Sequence, residues 1–225
     1  MPEWWTYTAG DFLMYSPRIH ARLVEAYLRE IWPAQALALA AGVAVAVVVP
    51  SRAAWRGRAT AALLAAGWGF VAWAYFAQRY ATIDWAGTYF AYAFAGQALL
   101  LFAFGVLRGA VVPDVRRGAA ARAAYALLLF ALFVQPLFGA WSAGRWPAAP
   151  LAGLLPDPTA VATLGFVLAG GGPVRWPLLA IPLLWCAVSG VLLWAMESPA
   201  AFVMLGAGAI ALALAVARQR LDRVR

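Results

Sequence analysis

Few residues in this chain have types and spacing that could do chemistry. Arg79 and Asp84 stand close together in QRYATIDWAG, with Tyr80 and Trp85 beside them and a strongly apolar run on either side. A charge in such a place is costly unless it is paired or wetted. The pair therefore reads either as an anion- or carboxylate-binding corner of a vestibule or as a structural ion pair locking a hairpin. Closeness in sequence favours the ion pair. Asp157, in LPDPTA, stands where a helix N-cap should, so capping of free backbone N–H groups is its expected role. In Glu197-Ser198-Pro199 the serine is the expected cap, which leaves Glu197 free for other work. His20 is the sole histidine, the side-chain type whose ordinary pKa lies nearest neutrality. Gln97, like Gln35, Gln78 and Gln135, falls within or at the end of an apolar run, where an amide usually bonds to a neighbouring helix. With Glu30, these give the candidate ligand-binding set: Arg79, Asp84, Glu197, His20, Glu30 and Gln97.

Several chemistries are absent. All the basic charge is arginine, so a lysine imine cannot form. One cysteine, Cys186, and one histidine exclude a disulfide framework and a Cys/His metal cluster within one chain. No nucleophile and base are paired in the sequence, so no enzyme activity, cofactor or metal is expected. No acid, histidine or arginine falls in the middle third of an apolar run, which argues against a proton pump.

The elements that must position these residues are membrane helices. Of the 225 residues, 65% are hydrophobic and 12% charged, against about 45–50% and about 25% in soluble domains. The net charge of +8 falls in short arginine clusters between apolar runs. It reads as a set of retention signals on the inner face, not as a nucleic-acid footprint. Runs long enough to be helices in a bilayer cover 33–50, 59–78, 87–108, 119–140, 158–172, 177–196 and 199–217. The fifth, PTAVATLGFVLAGGG, is short and ends in glycines, so it could re-enter the membrane instead of crossing it. Seven spans with the N-terminus outside place twelve of the seventeen arginines in inner loops, while omission of the fifth span spoils that bias. The expected fold is thus an all-α bundle of seven spans, N-out and C-in, with no cleavable leader.

Ahead of the first span, Ser16-Pro17 opens an amphipathic helix. Arg18, Arg22, Glu25 and Arg29 share one face; Ile19, Leu23, Val24, Tyr27, Leu28 and Ile31 share the other, with His20 among them. Such a helix is expected to lie along the outer membrane surface. The whole chain, 1–225, reads as one integral membrane domain: an outer-face segment over 1–32, the bundle over 33–217 and a basic cytoplasmic tail over 218–225.

The segments SPRIHARLVEAYLREIWPAQ, QRYATIDWAG, LPDPTAVATLG and PLLWCAVSGVLLW together resemble a bacterial multi-pass membrane family of unknown function, some of whose members carry the label permease. The resemblance runs from about Trp5 to the last span and implies a multi-pass protein of the bacterial cytoplasmic membrane. It brings no catalytic residues. Two functions compete on these grounds. One is a small permease or ligand-binding membrane protein with an outer-face vestibule; the other is an accessory or assembly subunit of a membrane complex. The expected partners are membrane lipids, an unidentified small molecule, and a second copy or a complex partner.

Overall fold

The computed structural model describes residues 15–142, 149–171, 173 and 175–224. The described residues form eight helices. Helix α1 is Pro17–Glu30 and α2 is Trp32–Val48. Helix α3 runs over Arg56–Phe70 and widens into π turns over Val71–Ala77; α4 covers Ala86–Leu100 and widens likewise over Leu101–Leu107. Helix α5 covers Ala119–Leu129, passes through π turns at Phe130–Val134, and resumes over Gln135–Ser142. Helices α6, α7 and α8 are Pro156–Ala169, Trp176–Ala195 and Ala200–Val224.

Five helices, α3, α4, α5, α7 and α8, are long and apolar enough to cross a membrane. A sixth candidate arises if α1 and α2, bent by 85° at their junction, count as one broken span. Leu37, Leu99 and Phe202 are exposed, as side chains facing lipid would be. The protein is therefore a multi-pass membrane protein, with five or six candidate spans where the sequence predicts seven.

The difference lies in two runs: 33–50, whose α2 has 17 residues and counts only together with α1, and 158–172, whose Gly172 falls outside the described residues. The second run forms α6, only 14 residues long, or about 21 Å at 1.5 Å per residue, too short for a hydrocarbon core of about 30 Å. A helix apolar on every side must be enclosed by lipid or by protein. Here protein encloses it: α6 packs against α3, α5, α7 and α8, and Thr159 through Phe166 are buried without a break. Gly165 makes this possible, because a Cβ there would lie 2.5 Å from the Leu128 backbone nitrogen of α5. The hydroxyls inside are satisfied. Trp68 Nε1 donates to Thr163 Oγ1 at 2.7 Å, and Thr163 donates in turn to the Thr159 carbonyl at 2.9 Å.

The contacts at the two ends of α6 show how the chain runs. At its C-terminal end the Asp114 N–H donates to the Ala169 carbonyl at 2.8 Å, and the Gly171 N–H to Val112 at 2.8 Å. The Arg218 guanidinium donates to the carbonyls of Leu168 and Gly170. Arg56 Nε donates to Pro113 at 3.0 Å. The start of α3, the loop after α4 and the last turns of α8 thus meet at this end, with their arginines. At the other end Leu155 and Asp157 lie with α1, the turn after α3, and Met196 beyond α7. Although short, α6 carries the chain from one end to the other. The segment expected to be a separate basic tail continues α8 as far as Val224, and Arg225 lies outside the described residues.

Helix α1 begins as expected: Ser16 accepts from the Ile19 N–H at 3.4 Å, and Pro17 occupies the first helical position. Its apolar face, however, covers the bundle more than it faces lipid. Tyr27 and Leu28 are buried, and the Tyr27 hydroxyl donates to the Leu154 carbonyl at 3.0 Å. Burial against protein removes the same apolar area from water as a membrane surface would, so amphipathicity alone does not distinguish the two. Gln35 Nε2 donates to the Leu28 carbonyl at 2.7 Å and ties the bend to α2. Residues 1–14 of the expected outer-face segment lie outside the described residues.

The contact at Gly165 makes a signed prediction. Gly→Ala in a helix ordinarily stabilises by up to about 1 kcal/mol, but Gly165→Ala must push α5 away, costing about 1–3 kcal/mol as overpacking does. Gly96→Ala has no neighbour within 4 Å and serves as the control. Thermal unfolding in detergent should show Gly165→Ala melting below wild type and Gly96→Ala at or above it.

Candidate functional site

A partly enclosed cavity of about 180 Å³ opens at the end of the bundle covered by α1. Its walls come from α1, the last turns of α3, the start of α6 and the second half of α7. The π turns of α3 help to build it. Successive residues of an α-helix point about 100° apart, whereas the wider turn lets Tyr75 and its neighbour Phe76 both stay buried. Tyr80 follows in the succeeding turn and is buried as well.

Asp157 is the charged residue of the cavity wall. Helix α6 starts two residues earlier than its sequence suggests, so Leu155 occupies the N-cap position and Asp157 lies in the first turn. Its carboxylate does not cap. Instead Oδ1 accepts from Trp185 Nε1 at 2.9 Å and from Ser189 Oγ at 2.7 Å. These donors are four residues apart and so share one face of α7. Trp185 is fixed in turn by edge-to-face contacts with Phe76, Phe90 and Phe94, at 5.3, 5.2 and 5.1 Å. Asp157 Oδ2 has no hydrogen-bond partner and the carboxylate no ion-pair partner among the described residues.

The opposite wall is aromatic. The Tyr15 and Tyr80 hydroxyls are hydrogen-bonded to each other, and the Tyr15 ring stacks on His20 at 5.9 Å. The Tyr75 hydroxyl and His20 Nε2 are 3.4 Å apart. Burial pushes the His20 imidazole below its usual range and the Tyr15 phenol above its own, so both are neutral at pH 7. Among the described lining residues, Asp157 is then the one that can carry a formal charge.

Of the six residues singled out in the sequence, His20 lines this cavity. Arg79 and Glu30 come together as an ion pair, which ties the turn after α3 to the end of α1. That corrects the expected pairing of Arg79 with Asp84. The Asp84 carboxylate is taken up locally, accepting from the Ala86 N–H at 2.9 Å as α4 begins. Glu197 occupies a left-handed turn, φ 57°, between α7 and α8, and Ser198 accepts from the Ala200 N–H at 3.4 Å. Gln97 is buried between helices, where its Nε2 donates to the Leu178 carbonyl at 3.1 Å. Asp157, Trp185, Ser189 and Tyr75 were missed as a group. The available signal was the Trp185/Ser189 pair, which puts two hydrogen-bond donors on one face of an otherwise apolar helix.

A family model matches residues 18–225. The chain belongs to DUF6064, a family of unknown function. No curated protein and no solved structure matches it. The DUF6064 match takes in the whole cavity wall apart from Tyr15.

Two outcomes follow. The Arg79–Glu30 pair is largely exposed, with side-chain exposures of 40% and 60%, so a double-mutant cycle should return less than about 1 kcal/mol. The Arg79–Asp84 cycle should return a coupling near zero. His20 is held neutral when α1 is docked but takes a proton near pH 6.5 once released, so docking is strongest above about pH 6.5 and weakens as the pH falls below it. Tyr15, Tyr75 and Tyr80 around it do not titrate in that range, and Asp157 is common to wild type and variant. Protease cleavage within α1 should therefore accelerate from pH 7.5 to pH 5.5 more in wild type than in His20→Leu.

Proposed function

We propose that the protein is a small permease or ligand-binding membrane protein of the bacterial cytoplasmic membrane, with its site in the cavity beneath α1. The observation that carries this reading is the half-buried carboxylate of Asp157, set among apolar helices, held on one oxygen by Trp185 and Ser189, and without a cation among the described residues. A half-buried carboxylate held on one oxygen, in the wall of a cavity, offers its other oxygen to a ligand. Ligand sites have this form: a concave, mainly apolar wall with a few convergent polar groups. A purely packing role in a larger complex supplies no reason to keep such a group.

The cavity end faces outward in this reading, N-out and C-in. Support comes from the arginines gathered at the opposite end, Arg56, Arg58, Arg116, Arg117 and Arg218 among them, because clustered arginine favours the cytoplasmic side. His20 is a wall of the site. Arg79 and Glu30 hold the cover formed by α1.

Single cysteines in a Cys186→Ala background test the site and the orientation together. Leu193→Cys, on the cavity wall, should react with a small membrane-impermeant thiol reagent in intact cells. Ser51→Cys, beside the arginine cluster, should react only after permeabilisation. An unreactive Leu193→Cys would remove the vestibule, and external labelling of Ser51→Cys would reverse the orientation.

A further inference from the structure

The cavity wall also specifies a class of ligand, an inference that rests on the reading above. We propose that it takes a small organic cation, a protonated amine whose ammonium group sits on the free Oδ2 of Asp157 among aromatic rings. Charge is the first argument. The chain carries +8 overall, yet among the described residues no arginine lines this cavity and none pairs with Asp157. The two groups that do reach the carboxylate are neutral donors, and both use Oδ1. The charged form of a carboxyl set this way has no counter-charge among the described residues to offset its desolvation. A ligand ammonium supplies it, whereas a carboxylate or phosphate ligand would be repelled.

The second argument is the surrounding surface. Tyr15, Tyr75, Phe76, Tyr80 and Trp185 present rings to the cavity, and aromatic faces attract ammonium groups through their quadrupoles. Hard metal cations are poorly served here, since calcium and magnesium take six or more oxygen ligands. A sugar would need several free donors and acceptors for its hydroxyls, whereas the Tyr15 and Tyr80 hydroxyls bond each other and Ser189 is taken up by Asp157.

Size is the third. The volume of about 180 Å³ compares with the engineered cavity of about 150 Å³ that holds one benzene. A ligand portion of about eight or nine non-hydrogen atoms fills that volume, below the usual range of drug-sized pockets. An ammonium of this kind could be a free amine or the headgroup of an ethanolamine phospholipid, and the experiment separates them.

Binding is measured by calorimetry on the purified full chain with three probes of one shape: benzylamine, benzyl alcohol and benzoate. Benzylamine should bind at least tenfold more tightly than benzyl alcohol, with benzoate weakest. Asp157→Asn keeps an acceptor for Trp185 and Ser189 and should lose at least tenfold in benzylamine affinity, with little change for the alcohol. If that variant does not fold, the order of the three probes on wild type decides alone. Repeating the titration in nanodiscs assigns the source. Weakening by phosphatidylethanolamine, relative to phosphatidylcholine, identifies a lipid headgroup; equal binding identifies a free amine. Benzyl alcohol or benzoate binding as tightly as benzylamine overturns the inference but leaves the site. Failure of all three to bind overturns it too, and only with an unreactive Leu193→Cys does the site itself fall.

Discussion

A helix enclosed along its length by an apolar bundle must find partners for its end groups in the protein around it, and the arrangement of this protein follows from meeting that condition for α6. Each terminus of a helix leaves several backbone groups without intrahelical partners. At the C-terminal end they are met by the Asp114 N–H and by the Arg218 guanidinium, which reaches the carbonyls of Leu168 and Gly170. The loop after α4 and the last turns of α8 are therefore drawn in toward a helix too short to reach them. A cation at a C-terminus and an acid in the first turn both suit the helix dipole, and α6 has Arg218 at one end and Asp157 at the other. Its neighbours can approach because Gly165 lets the backbone of α5 close on it.

The sequence made the class of fold legible and left its centre ambiguous, for a physical reason. Hydrophobicity reports exclusion from water and does not say whether lipid or protein does the excluding, so PTAVATLGFVLAGGG reads as a span although protein encloses it. Local rules held where the partners are local: Ser16 before α1, Ser198 before α8, and Glu25 with Arg29 at 2.7 Å. They failed where a distant partner competes. Arg79 reaches Glu30, 49 positions away, in place of Asp84. Asp157 has the sequence context of a cap, but Trp185 and Ser189, carried on another helix, claim its carboxylate. Only His20 of the candidate set reached the cavity wall. It was the residue whose position on the apolar face of α1 already pointed inward.

The π turns belong to the same account. Three of the long helices, α3, α4 and α5, widen in this way, and such turns recur at functional sites. In α3 the effect can be followed to the cavity. Tyr75 meets Tyr27 of α1 at 5.4 Å, while Phe76 meets Phe94 of α4 at 4.7 Å and Trp185 of α7 at 5.3 Å. One local change of helix geometry thus joins the cover to the ring cluster that fixes Trp185, and through Trp185 to Asp157. The rigidity of the carboxylate is a property of packing, not of its own backbone.

Magnitudes indicate why that carboxylate suits a reversible site. Removing an ion from water costs several kcal/mol even after relaxation. Hydrogen bonds to a charged acceptor return about 1.5–3 kcal/mol each, and a position in the first turn of a helix adds about 0.3–1 kcal/mol. Two donors and the dipole thus come close to offsetting the cost without exceeding it. A neighbouring arginine would have settled the balance permanently. None stands there among the described residues, and a cation at about 4 Å gains about 4 kcal/mol at an effective dielectric near 20. Part of that gain is lost to desolvating the incoming ammonium. The remainder is of the size that lets a ligand bind and leave, so an almost-compensated carboxylate is better fitted to exchange than one already paired.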